Sequence, residues 1–286
     1  MDDLNDVESW KIAESYVDIL DPKPSTLISV LKLLGSEGDD VISSTTRSAC
    51  ERLLLSATFK EACSEFESFY AEILSELGRQ RVFDLTPTDL IGILLSVYLN
   101  GKMKSIVRAE DLAYIVPRMF VELDLACCIS LCLPGLNLTD GVLFSMGKFF
   151  GLCLSYVKDQ KFYTEYRRYL RANNFRFDKS FEFQRLGCSL EQISSVALLN
   201  LGLNSSQLDG YSTYVFAEST PPKVDCEYKF WILSLWINSL IKDKNIPNIE
   251  HKLDFYPPTE LVDKFTSLAR KILDSHQGVS MWLDKA

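Results

Sequence analysis

The chain has 286 residues, enough for one large domain or two lobes with a substantial core. Apolar residues make up 47% and charged residues 24%, which excludes a disordered or low-complexity chain. A net charge of −9 argues against general nucleic-acid affinity, since phosphate binders carry a basic stripe. The acidic N-terminus "MDDLNDVESWK" is unlike a signal peptide. The most apolar run, "ACCISLCLPGL", is about half the ~20 residues a membrane-spanning helix needs. No membrane association is expected, and the location expected is cytoplasmic.

Helical punctuation recurs along the chain. "DPKPSTLISVLKLLG" places Pro22 and Pro24 before an apolar-periodic run, with Gly35 as the predicted end. "SSTTRSACERLLLSATF" continues with a short helix. Cys63, Phe66, Tyr70, Ile73 and Leu77 then step by three and four, a core-facing stripe closed near Gly78. "TPTDLIGILLSVYLNG" has Thr86 as N-cap, Pro87 at the first helical position and Gly101 at the predicted end. From Arg108 to Leu133 a long segment is divided or kinked at Pro117.

"GVLFSMGKFFGLCL", residues 141–154, follows with one broad apolar stripe, and residues 159–172 form a charged helix rich in tyrosine. Lys158, Lys161, Arg167, Arg168 and Arg171 alternate there with Tyr163, Tyr166 and Tyr169. Such a mixture suits single-stranded nucleic acid. Asp159 and Glu165 in the same stretch favour a solvated face with tyrosine anchors, and no nucleic-acid partner is expected. Ser189 and Gln192 form a capping box, and Asn204 and Gln207 offer a second. "EYKFWILSLWINSLIKDK", apolar almost all round, is predicted to be the most buried helix. Leu261, Phe265, Leu268 and Ile272 line one side of the last helix. "RVFDL" is too short for a strand, so the chain is expected to be an all-α, multi-helix bundle.

The chemical inventory is thin. Neither a phosphate loop, a Gly-x-Ser-x-Gly elbow nor a His-Glu-x-x-His helix is present. The two histidines, His251 in a polar loop and His276 near a helix end, are not expected to catalyse. Glu122 and Asp124, spaced i, i+2, are expected to be solvated on different helix faces. Eight cysteines sit mostly among apolar neighbours and read as reduced, buried side chains. Cys128 and Cys132 share a helix face, but no second Cys/His cluster completes a closed metal site.

Three stretches, in order and at their spacing, resemble the HDOD family of helical bacterial signalling domains, relatives of the HD metal-dependent phosphohydrolases. Where the family commonly reads Gly-Leu-Leu-His-Asp-Ile-Gly-Lys, this chain has Gly141-Val142-Leu143-Phe144-Ser145-Met146-Gly147-Lys148. Where it reads Leu-Gly-x-x-His-Ala-Glu, the chain has Leu186-Gly187-Cys188-Ser189-Leu190-Glu191-Gln192, followed by Leu198-Leu199 and Gly202-Leu203-Asn204. A Tyr-His-His-like position is occupied by Tyr211-Ser212-Thr213. The entry "LDPKPSTLISVLKLL" is similar to the family's leucine-proline start, whereas residues 36–105 fit poorly, as a divergent or a different lobe.

The resemblance implies an N-terminal helical lobe over 1–105 and an HD-like domain over 106–286. At the positions where HD relatives hold a metal, this chain has Phe144, Ser145, Leu190, Ser212 and Thr213. Phe144 and Leu190 have no lone pair to donate, and Ser145 is a poor ligand for a divalent ion. The expectation is therefore a module that is not an enzyme, has no cofactor and holds no metal. It would act in signal transduction through a protein partner, by way of helix 163–173 or the loop "AESTPPKVD" at 217–225. Two other readings stand beside it. One is a phosphohydrolase of nucleotides or cyclic dinucleotides using unrecognised ligands. The other is a sensor whose former metal pocket takes an uncharged or anionic small molecule, with Lys148 as polar handle. Lys148 is otherwise an exposed or snorkelling side chain.

Overall fold

The computed structural model describes residues 7–17, 24–37, 42–213, 222, 225–243 and 257–274. Among them the chain is all-α, with no strand, as its periodicity predicts. The N-terminal part contains α1 (Val7–Val17), α2 (Ser25–Ser36), α3 (Ser44–Leu54), α4 (Ala57–Phe69) and α5 (Ala71–Glu76). A 3-10 turn at Val82–Asp84, within the "RVFDL" stretch, leads to α6 (Pro87–Ile106). Thr86 caps α6 by accepting from the Asp89 N–H at 3.1 Å, with Pro87 in the first turn.

Short α7 (Ala109–Leu112) precedes α8 (Val116–Cys132), whose first turn holds Pro117. The proline thus begins a helix after a break, where its missing N–H is harmless. Next comes one continuous helical run: α9 (Leu138–Val142), a π-helical turn (Leu143–Gly147) and α10 (Lys148–Lys158). The run is buried nearly all round, and packs on α6, α8 and the later α13. α11 (Gln160–Ala172), α12 (Lys179–Leu186), α13 (Leu190–Asn200), a 3-10 turn (Ser205–Leu208), α14 (Asp225–Asp243) and α15 (Thr259–Asp274) complete the bundle.

One hydrophobic core extends across residues 105 and 106. Asp89 on α6 accepts from the Leu138 N–H at 2.9 Å, and Tyr70 donates to the Asp124 carbonyl at 3.1 Å. α1 returns to α13, where Gln192 Nε2 donates to Ser9 Oγ at 3.0 Å. Both expected capping boxes form. Ser189 Oγ accepts from the Gln192 N–H at 3.1 Å, while Gln192 Oε1 accepts from the Ser189 N–H at 2.9 Å. The Asn204–Gln207 box starts the 3-10 turn in the same way. Loss of the buried Ser189 cap should be felt: Ser189→Ala is expected to lower stability by about 1 kcal/mol in urea unfolding.

Three expectations differ from the structure. Gly35 and Gly101 do not end their helices, because α2 runs to Ser36 and α6 to Ile106. Leu99 and Met103, buried four residues apart, hold the turn beyond Gly101 against the core. α14 is not the most buried helix: residues 226–229 and Asn238 are only half-buried, and the face carrying Ser234 and Asn238 forms one wall of an open cleft. Glu122 and Asp124 are not solvated; they are 4% and 6% exposed on α8, a helix packed by α15, α14, α9 and the π turn.

All eight cysteines are free, seven of them buried and Cys226 half-buried. Burial pushes the thiols of Cys63 and Cys188 up to about 12 and that of Cys50 to about 11. Cys128 and Cys132 do share a face. Among the described residues, no group of three or more His, Cys, Asp or Glu is placed to hold a metal ion.

Candidate functional site

The structure brings the three motif stretches together. α10 crosses α13 so closely that a Cβ on Gly151 would lie 2.1 Å from the carbonyl oxygen of Leu190. One turn earlier, a Cβ on Gly147 would lie 2.1 Å from the Tyr211 hydroxyl, so Tyr211 is seated directly on the helix backbone. That hydroxyl is also 3.0 Å from Ser194 Oγ on α13. Glycine is thus required at both positions by close approach rather than by backbone angle.

The π turn covers Leu143–Gly147, the centre of the motif. Such turns place side chains off the regular helical register and are frequent at functional sites. Ser145, fully buried, donates to the Gly141 carbonyl at 2.7 Å and so faces its own helix. Leu190 is fully buried, and its N–H donates to Glu182 Oε2 at 2.9 Å. Ser212 and Thr213 are half-buried, and the Ser212 carbonyl accepts from Lys179 Nζ at 2.9 Å. Of these five positions only Phe144 lines the neighbouring cleft. The side chains present therefore do not fit a metal: two are hydrocarbon and the Ser145 hydroxyl is engaged.

The cleft has a volume of about 910 Å³, within the range of small-molecule sites. Phe144, Phe175, Phe177, Tyr211 and Phe230 are among its lining residues. On one wall Glu122 lies between two cations. Arg118 Nε donates to its Oε1 at 2.8 Å, and Lys148 Nζ is 3.3 Å from its Oε2. The second contact is an ion pair without hydrogen-bond alignment, so Oε2 retains acceptor capacity. Burial raises the Glu122 carboxyl, but Lys148 and Arg118 outweigh it and hold the group below the usual carboxylate range.

Lys148 is neither exposed nor snorkelling, since its side chain is only 16% exposed. Its ammonium lies 4.7 Å from the Phe144 ring centroid and 4.8 Å from that of Phe177, over both faces. Glu191, in the first turn of α13, is 8% exposed, and its Oε2 has no hydrogen-bond partner among the described residues. Five described cations line the cleft, Arg118, Lys148, Arg176, Lys179 and Lys242, against three carboxylates, Glu122, Asp178 and Glu191. On a protein of net charge −9, that positive excess is local to this surface.

The far lip is the 173–178 connection. Asn174 and Phe175 both have left-handed backbone, at φ 51° and 60°, and the Phe175 N–H donates to the Leu170 carbonyl at 2.6 Å. This conformation is unfavourable for phenylalanine, by on the order of 1 kcal/mol. It turns the chain off the end of α11 and leaves Phe175 and Phe177 at the cleft. Behind the lip, Tyr163 and Tyr166 are fully buried while Arg168 and Arg171 are exposed, so the basic helix is a solvated face with tyrosine anchors. Loop 217–225 falls almost wholly outside the described residues, as do both histidines.

Sequence reasoning missed Arg118, Glu122 and Glu191. The i, i+4 spacing of Arg118 and Glu122 was the available signal for the first pair. For Glu191 it was a carboxylate beside a motif position otherwise filled by hydrocarbon. Comparison of the chain with protein-family models, curated proteins and solved structures gives no match.

Proposed function

We propose that the chain is a non-catalytic, HDOD-type bacterial regulatory module that works in the cytoplasm through contacts with a protein partner. The observation that supports this most is Phe144. The residue standing where the related hydrolases place a metal-binding histidine is a phenylalanine at the edge of the cleft, with Ser145 turned into its own helix. Hydroxide generation and phosphate polarisation both need lone-pair donors there. Assay of the chain with Mn²⁺, Mg²⁺ or Zn²⁺ against bis-p-nitrophenyl phosphate and cyclic dinucleotides is expected to give no turnover above buffer. EDTA-sensitive turnover would refute the reading and restore the phosphohydrolase alternative. Affinity capture from native extract is expected to retain a stoichiometric protein partner. Among the described residues no helix is long and apolar enough to cross a membrane.

The cleft favours a second reading, that the module senses a small molecule. A concave, aromatic-lined volume of about 910 Å³ with convergent charged groups is the usual form of such a site. Ligand bound only to the folded chain would raise its apparent stability, which a thermal-shift series reads directly.

A further inference from the structure

Resting on the sensor reading, the structure assigns to the cleft a ligand class: a small aromatic carboxylate, a monoanion that also carries an N–H donor. The charge follows from the Arg118–Glu122–Lys148 group. Among the described residues two cations pair with the one carboxylate of Glu122 there, on side chains that are 22% and 16% exposed. Partly desolvated charge of this kind is unfavourable until a counter-charge arrives. Arg118 uses its Nε on Glu122, and its two Nη atoms make no hydrogen bond among the described residues. They form a donor fork suited to a planar carboxylate, with Lys148 Nζ beside it.

Glu191 supplies the second, independent indication. Its Oε2 is buried at the cleft without a donor, and a buried acceptor left unmade is costly. A ligand N–H satisfies it. The same carboxylate repels the second charge of a dianion such as a phosphate monoester, which favours a monoanion. Phe175 and Phe177, half-buried at the lip of the cleft, offer apolar surface for an aromatic body between the two polar ends.

Isothermal titration of the full chain with four matched probes tests this. Indole-3-acetate is the monoanion with N–H, naphthalene-1-acetate lacks the N–H, tryptamine is the cation, and indoxyl phosphate is the phosphate ester. The expected result is that indole-3-acetate binds tightest, that added salt weakens it, and that Lys148→Gln and Arg118→Gln each weaken it about tenfold. The salt dependence needs no variant, so the test survives if a substituted chain fails to fold. Equal binding of naphthalene-1-acetate would overturn the role given to Glu191. Tighter binding of tryptamine, or no response to salt or to either substitution, would overturn the anion assignment, and tighter binding of indoxyl phosphate would overturn the monocarboxylate class, each while leaving a ligand-binding cleft. Absence of binding by all four would overturn the sensor reading together with the ligand class.

Discussion

Gly151→Ala is expected to destabilise the protein by about 3 kcal/mol, toward the upper end of overpacking effects. The added methyl would meet the Leu190 carbonyl oxygen at 2.1 Å and the Leu190 carbonyl carbon at 2.8 Å. Both are backbone atoms at the start of α13, held by the Ser189–Gln192 capping box, so no flexible side chain can yield. α10 and α13 must move apart, which opens the core around Phe150, Cys153 and Ile193. The control is Gly101→Ala within α6, where nothing lies within 4 Å of the new methyl. Removing a helix-interior glycine there should stabilise by about 0.5–1 kcal/mol. Urea unfolding of the two variants at equal m-value is expected to move the midpoint in opposite directions. A neutral Gly151→Ala would mean that this crossing does not hold the bundle.

Raising the pH from about 5 to 8 is expected to weaken the fold through Glu182, and Glu182→Gln to abolish that slope. Glu182 is fully buried on α12, where Tyr166 of α11 donates to its Oε1 and the Leu190 N–H of α13 donates to Oε2 at 2.9 Å. Burial, and then the nearby Glu191, push its carboxyl up to about 8, against the opposing Tyr166 and Leu190 hydrogen bonds and the Lys179 charge. Between the ordinary carboxylate value and about 8 the folded chain holds a proton that the unfolded chain has lost. Stability from this group is therefore complete below that ordinary value and declines as pH rises toward about 8, by roughly 1 kcal/mol per pH unit. Glutamine reproduces the protonated acid: its carbonyl accepts from Leu190 and its amide donates to the Tyr166 oxygen. The variant should match the low-pH stability of the parent and stay flat. An unchanged slope in the variant would place the titration elsewhere.

Local signals were readable in the sequence. Thr86 with Pro87, and Ser189 with Gln192, announce helix starts because a cap involves only neighbours three residues apart. Gly101 misled because burial of the next turn carries the helix past it: Met103 is 1% exposed. The meeting of residues 141–151, 190 and 211 was implied by motif order, though which side chain faces the cleft was not. Phe144 and Ser145 are adjacent, yet one lines the cleft and the other bonds the Gly141 carbonyl. Glu122 was unreadable for a different reason. A charged residue on an amphipathic helix is solvated unless a partner arrives from elsewhere, and its second partner, Lys148, is 26 positions away on α10.

The distribution of thiols gives the protein a built-in reporter. A maleimide dye offered to the folded chain meets one half-buried cysteine, Cys226 at the N-terminal end of α14, and is expected to attach there before the seven buried ones. The other seven answer only when the surrounding helices part, since a buried thiol is out of the reagent's reach. Counting labels per molecule over time would then clock the breathing of each helix pair, with no mutation needed to install the probe.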